Sequence, residues 1–189
     1  MELKNYVKIY NDILPVKTLS NLIRYANTVN FEEAGVVANE NLSTINKTIR
    51  DTNIYFLTRA SDSMTDVHWT ALLANVLRNA INKYFSDLKT KSEWAKILDI
   101  GILKYNEGGF YKYHIDHASQ IPRTISTLFL LNNDYEGGEL CFRNSDGSGE
   151  WCVKTQPNTL IVWPSNFLYP HTVKPVTKGI RYSIVGWAL

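Results

Sequence analysis

Two histidines and one aspartate stand at spacings that suit a metal site. His114 and Asp116 are separated by one residue in a stretch that reads as a β-strand, and His171 follows in the segment Tyr-Pro-His-Thr-Val. Alternate side chains of a strand share a face, so His114 and Asp116 can bind the same ion. Two imidazoles and one carboxylate form a facial triad that leaves three coordination positions open, which is typical of non-haem Fe(II) oxygenases.

A longer constellation makes this pattern more specific, because His-x-Asp alone occurs by chance in many proteins. Gly-Gly-Glu-Leu at 137–140 is followed by His171 and then by Arg181-x-Ser183. The set resembles the Fe(II)/2-oxoglutarate-dependent dioxygenases, and within them the prolyl 4-hydroxylase-like branch. The segment from His171 to Trp187 is similar to bacterial hydroxylases of the PKHD type.

The resemblance covers residues 100–189 well and residues 1–99 loosely. It implies Fe(II) bound by His114, Asp116 and His171, with 2-oxoglutarate and O2 as cosubstrates and ascorbate needed for sustained activity. The expected reaction is hydroxylation of a C–H bond on a prolyl or other side chain of a peptide or protein.

The far carboxylate of 2-oxoglutarate needs a fixed cation, and Arg181 is the candidate. A guanidinium keeps its charge and binds two oxygens at once. If residues 175–179 form a hairpin turn, His171 lies opposite Ser183, and the ligand shares one face with Arg181 and Ser183. Lys178 is the rival, since some relatives use a lysine, but it falls in the predicted turn, where a solvated charge is the ordinary expectation.

Two further side chains are candidates for the same pocket. By resemblance, the Tyr105 hydroxyl hydrogen-bonds 2-oxoglutarate, although an aromatic core residue is the alternative among 11 tyrosines. Thr127 is a weaker candidate that adds a hydroxyl. His117 follows Asp116 directly and should point to the opposite face, and His68 is expected at the surface.

Residues 1–189 are expected to form a single domain, since this length buries a sizeable core. Helical periodicity predicts helices over 16–26 and 66–88. Residues 30–50 lack a clear period, and 34–43 are predicted to be an irregular loop. From residue 97 the period becomes that of strands. Eight are predicted: 98–105, 113–116, 123–132, 139–143, 150–154, 159–163, 171–174 and 180–188.

The predicted fold class is therefore α+β, mainly β. Residues 97–189 are expected to form a double-stranded β-helix, or jelly roll, and residues 1–96 to supply supporting helices and the first strands. The family resemblance implies the same fold.

The two cysteines, Cys141 and Cys152, flank the loop 144–149. If this loop closes a hairpin, Cys141 faces Cys152 and Phe142 faces Trp151. A disulfide is then geometrically conceivable, but a reducing cytosol favours two thiols. We therefore expect both cysteines to be small buried residues with free thiols.

Composition restricts the class of partner. The formal charge is +2, hydrophobic residues make up 44%, and no block of like charge is present, which argues against general nucleic-acid binding. No stretch of 18 apolar residues and no signal-peptide core is found. We therefore expect no membrane association, and we expect a cytoplasmic location. The oligomeric state stays open.

Two other functions compete with hydroxylation of a peptide or protein. Nucleic-acid demethylases of the same superfamily carry two closing arginines, whereas no arginine follows Arg181 before Leu189. A non-catalytic jelly-roll binding module has no need for an ion with open positions, so the complete triad and the Arg-x-Ser pair argue against it.

Overall fold

The computed structural model describes residues 2–37, 43–59, 63–91, 94, 96–154 and 156–189. Part of the predicted irregular loop, residues 38–42, lies outside the described residues.

Two α-helices form in the N-terminal half, α1 (Val16–Ala26) and α2 (Met64–Asp87), together with two short 3-10 helices, Leu3–Tyr6 and Leu57–Arg59. Helix α2 begins where Ser63 Oγ accepts a hydrogen bond from the Asp66 backbone N–H, which satisfies one of the free N–H groups of the first turn. Its buried stripe recurs at helical spacing and comprises Trp69, Leu73, Leu77, Ala80, Ile81 and Tyr84. Both predicted helices are confirmed to within about two residues at each end. None of the described helices is long and apolar enough to cross a bilayer.

Strands make up most of the remaining regular structure. In chain order they are β1 (Lys8–Tyr10), β2 (Glu32–Glu33), β3 (Val36–Val37), β4 (Ser43–Thr44), β5 (Arg50–Asp51), β6 (Asn53–Phe56), β7 (Ile97–Tyr105), β8 (Phe110–His114), β9 (Ile125–Leu130), β10 (Tyr135–Gly137), β11 (Leu140–Phe142), β12 (Trp151–Cys152), β13 (Thr159–Pro164), β14 (His171–Val173), β15 (Val176–Gly179) and β16 (Arg181–Ala188).

These strands build two principal antiparallel sheets. The major sheet has the order β1-β13-β9-β16-β7-β6-β2, and the minor sheet has the order β12-β11-β14-β8-β5. Two small two-stranded sheets, β10-β15 and β3-β4, accompany them. The mainly β jelly-roll architecture predicted from the sequence is confirmed, with helices supporting it.

Each face of the major sheet has its own hydrophobic cluster. On β16, Tyr182 and Ile184 pack with the stripe of α2, whereas Val185 and Trp187 pack with residues of the minor sheet. This follows from the two-residue period of a strand. The major sheet is therefore covered by helices on one side and by the minor sheet on the other.

The predicted hairpin between the His171 and Arg181 segments is wrong. Strand β14 pairs with β8 and β11 in the minor sheet, while β16 pairs with β7 and β9 in the major sheet. Four of the five residues assigned to a turn, Val176–Gly179, instead form β15, which pairs with β10. The chain thus passes from one sheet to the other between β14 and β16.

The cysteine hairpin has the predicted register, but the predicted thiols are wrong. Cys141 pairs with Cys152 and Phe142 with Trp151. The two sulfurs are joined in a disulfide, because this register brings the two Cα atoms to 3.9 Å. Cys141 is fully buried, whereas Cys152 is exposed.

Candidate metal centre and binding cavity

Three predicted ligands meet between the sheets. His114, the last residue of β8, pairs directly with His171, the first residue of β14. Asp116 lies two residues beyond the end of β8, so the predicted strand 113–116 is too long at this end. Its Oδ1 is 3.6 Å from His114 Nε2 and its Oδ2 is 3.5 Å from His171 Nε2. The ligand atoms of all three residues lie within 4.8 Å of one another.

Backbone carbonyls orient both imidazoles. His114 Nδ1 is 2.9 Å from the Lys112 carbonyl oxygen, and His171 Nδ1 is 3.1 Å from that of Tyr169. A carbonyl can only accept, so each Nδ1 carries the proton and each Nε2 keeps a free lone pair toward Asp116. This is the support that metal-binding histidines commonly have.

The pKa values of His171 and Asp116 favour the protonation states that bind a cation. Burial lowers the pKa of His171 to about 4, with the neighbouring His114 adding to the effect. His171 is therefore neutral near pH 7, as a ligand must be. Burial by itself raises the pKa of Asp116, but His171, His114 and the Ser126 hydroxyl outweigh it and hold that pKa well below its usual value.

The Asp116 carboxylate is held by side chains from residues 123 and 126, which follow it in the chain. Ser126 Oγ donates to Oδ2 at 2.6 Å, and Arg123 NH1 is 4.0 Å from Oδ1 and donates to the Asp116 carbonyl at 3.3 Å. The Asp116 side chain is 8% exposed. Ser126 was missed by sequence reasoning, since only the fold brings it to the ligand.

A cavity of about 480 Å³ opens beside the three ligands and runs between the two sheets. Its walls include the aromatic side chains of Tyr105, Tyr111, Trp163 and Trp187. Tyr111 stacks on His114 with 3.5 Å between ring centroids, and the Arg123 guanidinium lies 3.7 Å from the Trp187 ring centroid. The ligand set is thus bordered by large, mostly apolar surfaces.

Arg181 is fully buried on β16, at 0% exposure, and pairs in register with Tyr105 of β7. Its guanidinium carbon is 5.1 Å from the Tyr105 ring centroid, and its NH1 donates to Ser183 Oγ at 3.0 Å. Its Nε and NH2 are buried and have no hydrogen-bond partner within the described chain. A buried cation without a partner is costly, so these atoms point to an anionic group that the chain does not itself provide.

The other predicted residues divide into two groups. Tyr105 lines the cavity and lies against Arg181, which donates to Ser183, although Arg181 and Ser183 are not themselves lining residues. Thr127 instead faces the helices, where its Oγ1 donates to the Gly186 carbonyl at 2.7 Å, so it does not reach the cavity. Lys178 lies at the surface with its side chain 74% exposed and paired with Glu136.

The C-terminal part of the chain is similar to known proteins. The family model described as the 2OG-Fe(II) oxygenase superfamily matches residues 100–189. This part of the chain is therefore similar to that superfamily. A PKHD-type hydroxylase of Pseudomonas putida (strain W619) is 40% identical over 93 residues, which cover 44% of this chain and 39% of that protein. The matched part is thus about two fifths of the length of that curated relative.

Solved structures of prolyl hydroxylases align over nearly the whole chain. A Pseudomonas putida prolyl-4-hydroxylase has a TM-score of 0.70 and 25% identity, and the alignment covers 96% of this chain and 91% of that one. A Trichoplax adhaerens prolyl hydroxylase, in complex with a peptide fragment of the hypoxia inducible factor oxygen degradation domain, has a TM-score of 0.73 and 20% identity. That alignment covers 98% of this chain and 84% of the other, and at this identity it supports the fold alone.

Proposed function

We propose that this chain is an Fe(II)- and 2-oxoglutarate-dependent hydroxylase acting on a prolyl or other side chain of a peptide or protein. The observation that carries the proposal is a buried arginine with unpartnered N–H groups beside Tyr105, which lines the same cavity as two imidazoles and one carboxylate. The first group suits the far carboxylate of 2-oxoglutarate, and the second suits Fe(II).

His114, Asp116 and His171 would hold the metal through two neutral Nε2 atoms and a carboxylate oxygen. Bound Fe(II) supplies the chemistry in which O2 and 2-oxoglutarate are converted to succinate and CO2 while one C–H bond becomes C–OH. The side chains keep their places during this reaction because backbone carbonyls hold the two imidazoles and Ser126 holds the carboxylate.

Arg181 and Ser183 would bind the far carboxylate of the cosubstrate. The Arg181 Nε and NH2 groups are free to donate, and two donors from one planar group match two carboxylate oxygens. Ser183 Oγ already accepts from NH1, which leaves its own proton for a third bond. Tyr105 would donate a hydrogen bond through its hydroxyl from β7, the strand next to β16 in the same sheet.

The aromatic walls of the cavity would exclude water and receive the substrate. Trp163, Trp187 and Tyr111 border the ligand set, and a dry site strengthens each polar contact made inside it. The Trichoplax adhaerens prolyl hydroxylase, which shares this fold, carries a bound peptide, and a peptide is the substrate class that we propose here.

The test is a succinate assay with the purified protein, Fe(II), 2-oxoglutarate and ascorbate, in the presence of proline-containing peptide pools, free amino acids or oligonucleotides. We expect succinate formation that peptides accelerate, with a mass gain of one oxygen on the peptide. The matched control is His171→Ala, which should form no succinate above background. Succinate formation stimulated by oligonucleotides alone would replace the peptide assignment with the nucleic-acid one, and an absence of Fe(II)-dependent succinate formation under all conditions would refute the oxygenase proposal.

A further inference from the structure

Two buried serines, Ser126 and Ser165, lie next to the Asp116 carboxylate. Strand β8 ends at His114, so Asp116 lies beyond the ladder of that strand. Ser126, at 0% exposure, lies 2.6 Å from Asp116 Oδ2, and its Oγ is also 2.7 Å from Ser165 Oγ. Ser165 is 1% exposed. Two hydroxyls buried to this degree and linked in series to one carboxylate oxygen form a specific support.

The direction of the two hydrogen bonds follows from counting protons. An ionised carboxylate only accepts, so the single hydroxyl proton of Ser126 goes to Asp116. Ser165 must therefore donate to Ser126. The resulting chain runs from Ser165 to Ser126 to Asp116 Oδ2, and each bond strengthens the next in a buried setting.

Ser165 is itself fixed by its backbone at the point where β13 ends. Its N–H donates to the Thr124 carbonyl at 2.9 Å, and its carbonyl accepts from the His117 N–H at 3.0 Å. One residue thus joins the end of β13, the start of β9 and the residue that follows Asp116. The serine pair is anchored to the major sheet on one side and to the ligand segment on the other.

We propose that Ser126, held by Ser165, is a positioning residue that makes Asp116 a one-oxygen metal ligand. The proposal rests on the proposed function, since it assumes a metal at this centre. The Ser126 bond occupies one of the two lone pairs of Oδ2 and resists turning of the carboxylate, so Oδ1, which Ser126 does not contact, is the oxygen favoured for an ion. A carboxylate free to turn would offer both oxygens and fill a position that 2-oxoglutarate or O2 requires.

The test uses Co(II) as the probe, because its d–d absorption reports coordination independently of turnover. We expect Ser126→Ala to weaken Co(II) binding by about tenfold or more and to change the Co(II) absorption bands. Ser126→Thr keeps the hydroxyl and should restore both readouts. Ser165→Ala should shift them in the same direction as Ser126→Ala, and it decides the matter if Ser126→Ala does not fold.

Thr159→Val is the matched control. Thr159 is a buried hydroxyl on β13 that bonds Asn11 and has no contact with the centre, so its loss should leave Co(II) affinity and absorption unchanged. Wild-type affinity and wild-type absorption in folded Ser126→Ala would overturn the positioning role. His171→Ala separates the two proposals: if it also binds Co(II) as the wild type does, the metal centre is misplaced and both proposals fail.

Discussion

Arg181 is the residue whose surroundings are least complete without a ligand. Its guanidinium is fully buried, yet one serine is its single hydrogen-bond partner in the part of the chain that the structure describes. Desolvating a charge costs several kcal/mol unless an opposite charge or several polar atoms compensate. We therefore expect 2-oxoglutarate to stabilise this protein strongly.

Arg181→Ala should raise the 2-oxoglutarate requirement by about 30-fold or more, because losing one partner of a buried charge pair costs on the order of 2–5 kcal/mol. The measurement is the concentration of 2-oxoglutarate that gives half-maximal succinate formation. Lys178→Ala is the control, since that side chain is solvent-exposed and already paired with Glu136. If the two variants behaved in the opposite way, the assignment of the carboxylate site to Arg181 would be wrong.

The metal-free protein should lose stability as the pH falls from about 6.5 to about 4. Burial holds the folded pKa of His171 at about 4, below the value of 6.5 for a free imidazole, so the unfolded chain binds more protons in this window. Above pH 6.5 the neutral His171 contributes fully to the free energy of unfolding. Lowering the pH to about 4 should reduce that free energy by up to about 3 kcal/mol. Urea unfolding of wild type and His171→Gln across this range measures it, with His117→Gln as the exposed control. An equally steep pH dependence in His171→Gln would show that another group is responsible.

Residue types and spacing were enough to predict the three ligands and Arg181 as candidates, because their chemistry is specific and their positions are close to the ends of strands. The support for Asp116 was not predictable in the same way. Ser126 and Thr127 are adjacent hydroxyls on β9 with opposite directions, and choosing between them requires knowing which face of that strand meets the cavity.

At the scale of elements, all eight predicted strands overlap strands of the structure, but β10 and β15 were missed and sheet membership did not follow from periodicity. The His171 segment and the Arg181 segment are close in sequence, which favours a hairpin by the ordinary preference for short connections. The structure separates them because the intervening residues form β15 and pair with β10. A two-residue period is equally compatible with a turn or a crossover, so the pattern of side chains alone leaves the partner strand undecided.

The disulfide between β11 and β12 should contribute measurably to stability. It closes a short loop, with a sequence separation of 11, and a cross-link of this size removes about 3 kcal/mol of chain entropy from the unfolded state. Urea unfolding with and without a phosphine reductant should show a lower midpoint after reduction. Cys152→Ala, which cannot form the bond, is the control and should not respond to reductant. Equal midpoints for oxidised and reduced wild type would show that the disulfide does not contribute to the free energy of unfolding.

For the whole molecule, the two halves of the chain share one sheet. Strand β1 pairs with β13, β6 pairs with β7, and α2 covers the helix-side cluster of the major sheet. We propose that residues 1–189 unfold as a single domain, because neither half can bury its apolar surface alone. The predicted cytoplasmic location stays a prediction.

Unfolding should be one cooperative transition. Far-ultraviolet circular dichroism follows mainly the helices of the N-terminal half. In a variant with Trp69→Phe and Trp94→Phe, the fluorescence of the three remaining tryptophans follows the C-terminal half, so the two midpoints should coincide. A fragment of residues 97–189 should not fold, since it lacks α2 and the edge strand β1. Two separated transitions, or a folded fragment, would contradict the single-domain proposal.

Successive side chains of β16 point to opposite faces of the major sheet, so neighbouring mutations should affect different properties of the protein. Ile184 packs against the helices and Val185 lines the cavity, although they are neighbours in sequence. In a systematic mutational scan, substitutions at Ile184 should reduce the amount of folded protein while leaving the activity per folded molecule intact. Those at Val185 should do the reverse. Two phenotypes would then alternate residue by residue along one strand, and a genetic screen that measures only total activity would merge them.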